Sequence, residues 1–145
     1  MKNPQSGATI IEFSLSLLIF LTFMLGIVDF GRMLFTWNAA NEATRMGARY
    51  AVVCDNTGNE AQVRARMQRL LPQVASIDLA WEPAGCTSAD CQGVTVTITN
   101  FNFQWISPIT GFASRTIPIP APTFSTYLPR EIMRQDPNSD AICNT

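Results

Sequence analysis

The longest apolar stretch of the chain lies near its N-terminus. From Phe13 to Val28 the residues carry no charge, and Ala8 to Ile11 extend this stretch upstream past Glu12. The whole stretch has about twenty residues, which an α-helix needs to cross about 30 Å of hydrocarbon. The pattern therefore predicts a transmembrane helix at about residues 8–28.

The helical pattern continues beyond this apolar stretch. No proline interrupts residues 29–52, so we expect one helix from about Thr9 to Val52, about 65 Å long at 1.5 Å per residue. Gly26 and Gly31 are expected to mark a bend or a close helix contact. A helical wheel of this segment shows two distinct faces. One is a polar stripe of Asn38, Glu42, Arg45 and Arg49, and the other is a track of small residues, Ala39, Ala43, Gly47 and Ala51. Small residues let another segment approach closely, and we favour packing on the chain's own C-terminal part over packing between subunits.

Beyond Val53 the pattern predicts a small α+β domain. Turn-forming residues 55–60 lead into a short amphipathic helix that Pro72 ends. Its inward residues are expected to be Val63, Met67, Leu70 and Leu71, and its outward residues Arg64, Arg66 and Arg69. The acids and amides of residues 55–60 resemble a calcium loop only superficially, because the EF-hand spacing is absent.

Three strands are expected after this helix. In the first, Ile77, Leu79 and Trp81 alternate with more polar residues. In the second, the apolar positions Val94, Val96 and Ile98 change parity to Phe101, Phe103 and Trp105, which requires a break near Asn100. The third, at residues 115–128, carries Pro118, Pro120 and Pro122 and must be an edge strand or a polyproline-like segment there. The fold class is therefore α+β, a long N-terminal helix with a short second helix and a small antiparallel sheet.

Composition and charge exclude several functions. The chain of 145 residues is 47% apolar and only 14% charged, with 10 basic and 11 acidic residues, so the excess of positive charge that binds nucleic acid is missing. It contains no histidine, which removes the commonest general base and metal ligand. Asp78, Glu82 and Asp90 are the acids that an enzyme would have to use, but nothing in their spacing selects them. We expect no catalytic residue, metal, cofactor or small-molecule substrate.

The start of the apolar stretch carries a resemblance. The leader MKNPQSG has a single basic residue, Lys2, and Glu12 stands inside the apolar stretch, neither of which is typical of a secretory signal peptide. The segment GATIIEF, in which Gly7 precedes Glu12 and Phe13 at a fixed spacing, resembles the prepilin-peptidase motif of the type IV pilin superfamily. The following segment resembles, more narrowly, the TadE-like minor pilins or pseudopilins of tight-adherence (Tad, Flp-type) pilus systems. Its matching positions are Asp29, Phe30, Gly31, Arg32, Asn38, Gly47, Ala48 and Arg49.

This resemblance covers residues 4–53 and implies a pilin-like division of the chain. Cleavage after Gly7 would remove a leader of residues 1–7 and leave Ala8 as the new N-terminus. A helix of residues 8–53 and an extracytoplasmic domain of residues 54–145 would remain. A carboxylate within lipid normally has a partner, and the resemblance implies that Glu12, which precedes Phe13, pairs with the Ala8 amine of a neighbouring subunit. The alternative is that Glu12 simply lies among the lipid headgroups.

The function that the resemblance implies is structural and not enzymatic. The protein would be a single-pass protein of the bacterial inner membrane that helps to assemble a Tad pilus for surface attachment. It would either stay in the membrane or enter the filament. Its partners would be the membrane, other pilins, the Tad assembly machinery and a prepilin peptidase, with no nucleic acid among them. An alternative is a pilus-tip or surface adhesin that uses exposed aromatic residues, although such residues are more often part of a core. The aromatics in question are Phe101, Phe103, Trp105, Phe112 and Tyr127.

Four cysteines follow the membrane segment, at positions 54, 86, 91 and 143. If they lie in an oxidising compartment, two disulfides are expected in one of three connectivities. We favour Cys86 with Cys91, which closes a turn between strands, and Cys54 with Cys143, which ties the C-terminus to the end of the long helix. A zinc site of four thiolates is the alternative, and both the compartment and the cysteine spacing argue against it.

Overall fold

The computed structural model describes residues 6–54, 58–87, 89–101, 103, 105–106, 123–130 and 140–143. Within these residues the chain is α+β, as the sequence predicts. The helices are α1 (Ser6–Val53), α2 (Glu60–Leu70) and the single-turn α3 (Asp140–Cys143), and the strands are β1 (Ser76–Glu82), β2 (Gly93–Thr99) and β3 (Phe124–Pro129). The expectations for Asp55, Phe112 and the prolines at 118, 120 and 122 lie outside the described residues.

Helix α1 is continuous over 48 residues, from Ser6 to Val53, which confirms the predicted single helix. It passes through two compact units: an N-terminal unit of residues 1–34 and 103–118, and a C-terminal unit of residues 35–102 and 119–145. The close contact expected at Gly26 or Gly31 is not found in the described part of the chain, because a Cβ at either position would have no atom within 4 Å.

The sheet of the C-terminal unit is antiparallel, in the order β1-β2-β3. Leu79 of β1 lies opposite Val96 of β2, and Val96 lies opposite Thr126 of β3. The predicted inward residues of β2, Val94, Val96 and Ile98, are all buried. Strand β2 ends at Thr99, and the next residue, Asn100, has a φ of 55°, a left-handed conformation that asparagine tolerates better than most residues. This confirms the predicted break.

The core of the C-terminal unit lies between the sheet and the second half of α1. Ala43 and Ala51 of the small-residue track are fully buried, and a Cβ built on Gly47 would lie 2.6 Å from the sulfur of Met67 on α2. The Oγ1 atoms of Thr44 on α1 and Thr126 on β3 lie 2.8 Å apart and share a hydrogen bond. The small residues therefore pack on the chain's own domain, as the sequence analysis favours.

Two details of α2 differ from the prediction. Leu70 is 44% exposed whereas Leu71, the residue after the helix, is 6% exposed. The helix ends at Leu70 and Leu71 adopts an extended conformation, so the two residues cannot share the inward face. Arg66 is half-buried instead of pointing outward, because its guanidinium lies over the ring of Tyr50 and donates to the carbonyl of Ile142.

Candidate functional site

The residues of the expected processing and pairing site lie at the N-terminal end of α1. Gly7, Ala8, Glu12 and Phe13 are all exposed on this helix, and a Cβ built on Gly7 would have no atom within 4 Å. This part of the helix therefore leaves the site open to an enzyme or to a second chain.

Glu12 stands on a helix that is otherwise apolar over this stretch. Helix α1 contains an 18-residue window with a mean hydropathy of 2.3 of which 0% is buried, and the large apolar residues on either side of Glu12, such as Ile11 and Phe13, are 72% and 67% exposed. In the part of the chain that the structure describes, no basic side chain forms an ion pair with Glu12. A carboxylate on such a surface is costly in hydrocarbon unless something compensates for it.

A second group of residues lies just after the apolar stretch, within the N-terminal unit. The carboxylate of Asp29 is 1% exposed and accepts a hydrogen bond of 3.2 Å from the Nη1 atom of Arg32, one turn later on α1. The backbone N–H of Ile106 donates to the same carboxylate, at 3.0 Å from Oδ1 and 3.2 Å from Oδ2. A buried carboxylate is therefore compensated by a cation and by a backbone donor from a distant part of the chain.

The aromatic residues of that distant part complete the arrangement. The guanidinium of Arg32 lies 5.6 Å from the ring centroid of Phe103, and Phe103 packs edge-to-face on Trp105 at 5.3 Å. Arg32 thus bonds to Asp29 with one edge and covers an aromatic ring with its face. Of the matching motif residues, Asp29 and Arg32 fasten Phe103 and Ile106 to α1, whereas Phe30, Gly31 and Asn38 are exposed.

The last motif residues, Gly47, Ala48 and Arg49, have three different environments. Gly47 is buried because Met67 and Val63 of α2 occupy the space that a side chain would need. Ala48 is 0% exposed in the core, whereas Arg49 is exposed and lines a groove on the surface. The motif G-A-R is therefore explained for its first two residues by helix packing, and its third residue is available for a partner.

The disulfides of the structure are Cys54 with Cys143 and Cys86 with Cys91, the pairs that the sequence analysis favours. The first joins α3 to the end of α1, where the hydroxyl of Tyr50 also donates to the carbonyl of Cys143 at 3.2 Å. Among the described residues no cluster of acids and cysteines is suited to a metal ion.

The aromatic residues considered for an adhesin are mostly packed. Phe101 is buried and contacts Phe124 edge-to-face, and Phe103 and Trp105 are half-buried. Tyr127 is 49% exposed, but it lies over Gly93 of the neighbouring strand. These described aromatics therefore form no exposed cluster that would favour a binding module.

The fold and these sites define a class of protein: an α+β domain carried on a long helix that is apolar enough to span a membrane. Residues 7–49 match the family model described as TadE-like protein. The recognition made from the sequence is therefore confirmed for this segment, just under a third of the chain, and it indicates a component associated with Tad pilus systems. No curated protein and no solved structure matches the chain.

Sequence reasoning missed two contacts at these sites. The backbone N–H of Ile106 bonds to Asp29 from 77 positions away, and no local pattern announces such a partner. The polar pattern of α2 assigns Arg66 to solvent, although the apolar stem of an arginine can lie along a neighbouring apolar surface. A tyrosine near the end of α1 is the signal that would have suggested this contact.

Proposed function

We propose that this protein is a minor pilin or pseudopilin, a structural subunit that is held in the bacterial inner membrane by α1 and takes part in assembling a Tad-type pilus. The C-terminal unit stands outside the cytoplasm, where its cysteines form disulfides. The observation that carries the proposal is Glu12, an exposed carboxylate on an apolar, unburied helix within the TadE-like segment.

The carboxylate acts between subunits. A prepilin peptidase cleaves after Gly7 and creates an amine at Ala8, and the Glu12 carboxylate of one subunit compensates the Ala8 amine of the next. In a low-dielectric bundle both charges are stable only when they are paired. Other pilins and the Tad assembly machinery are the partners that this arrangement requires. Attachment to surfaces is a property of the assembled pilus.

The pairing is tested by Glu12→Ala in cells that carry only the variant. The variant inserts and is cleaved normally but yields few or no pili, because the neighbour's amine loses its partner. Ser14→Ala is the matched control, since Ser14 is also exposed on α1 and its hydroxyl bonds only locally to the carbonyl of Ile10. Pili are counted by electron microscopy and membrane insertion by fractionation. A wild-type number of pili with Glu12→Ala would refute the pairing.

Processing is tested separately by Gly7→Val. A bulky residue at the cleavage position leaves the leader attached while insertion survives, and the intact mass of the membrane-extracted protein shows the difference. Gly26→Val is the control, because it adds the same side chain to α1 at an open position away from the cut. A mature protein that begins anywhere other than Ala8 would contradict the assignment.

A further inference from the structure

A groove runs along the surface of the C-terminal unit between α1, α2 and β3. It consists of two adjoining cavities of about 470 and 420 Å³. Both cavities are lined by Met46, Arg49 and Leu70, so they form one continuous depression along α1. None of the residues assigned above to processing, to pairing or to the Asp29 contacts lines this groove.

The floor of the groove is apolar. Met46 and Tyr50 of α1 line it, together with Leu70 at the end of α2 and Ile142 of α3. Leu70 and Ile142 are 44% and 51% exposed, which is unfavourable for large aliphatic side chains in water. Covering this floor with the apolar side chains of a partner would remove that exposed area.

The rim of the groove is positively charged. Its described lining residues include four arginines, at positions 45, 49, 66 and 69, and one acid, Glu42. These described lining residues carry four positive charges and one negative charge, whereas the whole chain has a formal net charge of -1. Arg66 forms part of the wall through Tyr50 and Ile142. Arg45 and Arg49 stand exposed on α1, and Arg45 lies 4.0 Å from Glu42.

We propose that this groove binds a peptide segment of a partner protein that carries both acidic and apolar side chains. The apolar side chains cover Met46, Leu70 and Ile142, and the carboxylates meet Arg49, which lines both cavities. Such charge complementarity sets the specificity and the association rate of an interface, and an amphipathic segment in an apolar groove is a common mode of recognition.

The position of the groove favours a peptide over a lipid headgroup. Its first α1 residue, Glu42, follows Val28, the end of the apolar stretch, by fourteen positions, which is about 20 Å of α-helix. The headgroups of the bilayer that α1 spans are therefore remote from the groove. The preference for a peptide rests on the membrane anchoring by α1 in the proposed function. The groove itself is a surface that neither cleavage at Gly7 nor pairing by Glu12 uses, so a failure of peptide binding would leave both of those steps standing.

The test uses the full chain in micelles of a neutral detergent and a short fluorescein-labelled peptide in which pairs of Glu and Leu alternate. Binding is followed by fluorescence anisotropy. Arg49→Glu is expected to weaken binding by about tenfold or more, because it reverses a charge at the centre of the groove. Arg64→Glu is the matched control: Arg64 is an exposed helical arginine outside the groove, and this variant should change the affinity by less than about twofold.

Three further measurements decide the chemistry of the ligand. A peptide with Ser in place of Leu, and one with Lys in place of Glu, should both bind much more weakly. Leu70→Ser should weaken binding of the original peptide with little effect on the melting temperature, since Leu70 is already partly exposed. Equal losses with Arg49→Glu and Arg64→Glu, equal binding of the Ser-containing peptide, or displacement of the peptide by short-chain phosphatidylglycerol would each overturn the proposal.

Discussion

The two halves of helix α1 lie in different surroundings. Over the first half, large apolar residues such as Phe23 and Ile27 are more than 70% exposed, and nothing within the described chain covers them. Over the second half, Ala40, Ala43 and Ala51 are fully buried by the chain's own sheet and second helix. Large apolar residues thus mark the part of the helix that needs lipid or another subunit, and small residues mark the part that the protein covers itself.

The same contrast distinguishes two ion pairs with the same spacing on this helix. Asp29 and Arg32 lie three positions apart with a carboxylate that is 1% exposed, whereas the side chains of Arg45 and Glu42, also three apart, are 71% and 64% exposed. Burial, and not spacing, therefore decides which pair matters for stability, because water screens the exposed pair.

The largest expected effect comes from the two disulfides of the C-terminal unit. They close loops of very different length, with sequence separations of 89 for Cys54 and Cys143 and 5 for Cys86 and Cys91. In the chain-entropy model these lengths correspond to about 4 to 5 kcal/mol and about 2 kcal/mol of stability. Replacing Cys54 and Cys143 by Ser should therefore lower the melting temperature more than replacing Cys86 and Cys91 by Ser.

Calorimetry of the detergent-solubilised variants measures this difference, and peptide mapping of the unreduced protein checks the pairing itself. The variant with Ser at positions 86 and 91 is the control, because it also loses one disulfide but opens only a short loop. Equal melting temperatures for the two variants, free thiols, bound zinc, or a peptide that links Cys54 to Cys86 would each contradict the prediction.

The second effect concerns the buried carboxylate at the end of the apolar stretch. Asp29→Ala leaves the N–H of Ile106 and the guanidinium of Arg32 without this acceptor, which should cost about 1 to 3 kcal/mol locally. The amide of Ile106 should then exchange with solvent faster. Asp29→Asn keeps an acceptor oxygen for Ile106 and should have a smaller effect.

Hydrogen-exchange mass spectrometry on peptides that contain Ile106 measures this change. Glu42→Ala is the matched control from the exposed pair, and it should alter stability by less than about 0.5 kcal/mol. If Asp29→Ala and Glu42→Ala left exchange at Ile106 equally unchanged, the carboxylate would not hold this segment.

These contacts also show what the sequence could and could not predict. The limits of α1, the alternation in β1 and β2 and the break at Asn100 follow from local patterns, because periodicity and backbone preference act over a few residues. The contact between Asp29 and Ile106, the position of Arg66 over Tyr50 and the groove beside Leu70 depend on which distant segments meet. Hydrophobic periodicity does not contain that information, so these features required the structure.

The last prediction concerns the glycines of the two halves of α1. A Cβ at Gly47 would lie 2.6 Å from the sulfur and 2.9 Å from the Cγ atom of Met67, and Met67 is 0% exposed, so it cannot move aside into solvent. Gly47→Ala should therefore destabilise the C-terminal unit by about 1 to 3 kcal/mol. At Gly31 a Cβ would have no atom within 4 Å, so Gly31→Ala should instead stabilise the helix by up to about 1 kcal/mol.

Gly47→Ala should lower the stability of the protein and Gly31→Ala should raise it. Because of this difference, the two variants report on assembly as well as on folding. If a neighbouring subunit packs closely on Gly31, then Gly31→Ala should reduce the number of pili although the isolated protein unfolds at an equal or higher temperature. Gly26→Ala, at another open position of the first half, shows whether any such loss is specific to Gly31. A lower melting temperature with Gly31→Ala would mean that the first half of α1 is packed within its own chain, which would remove the distinction between the two halves.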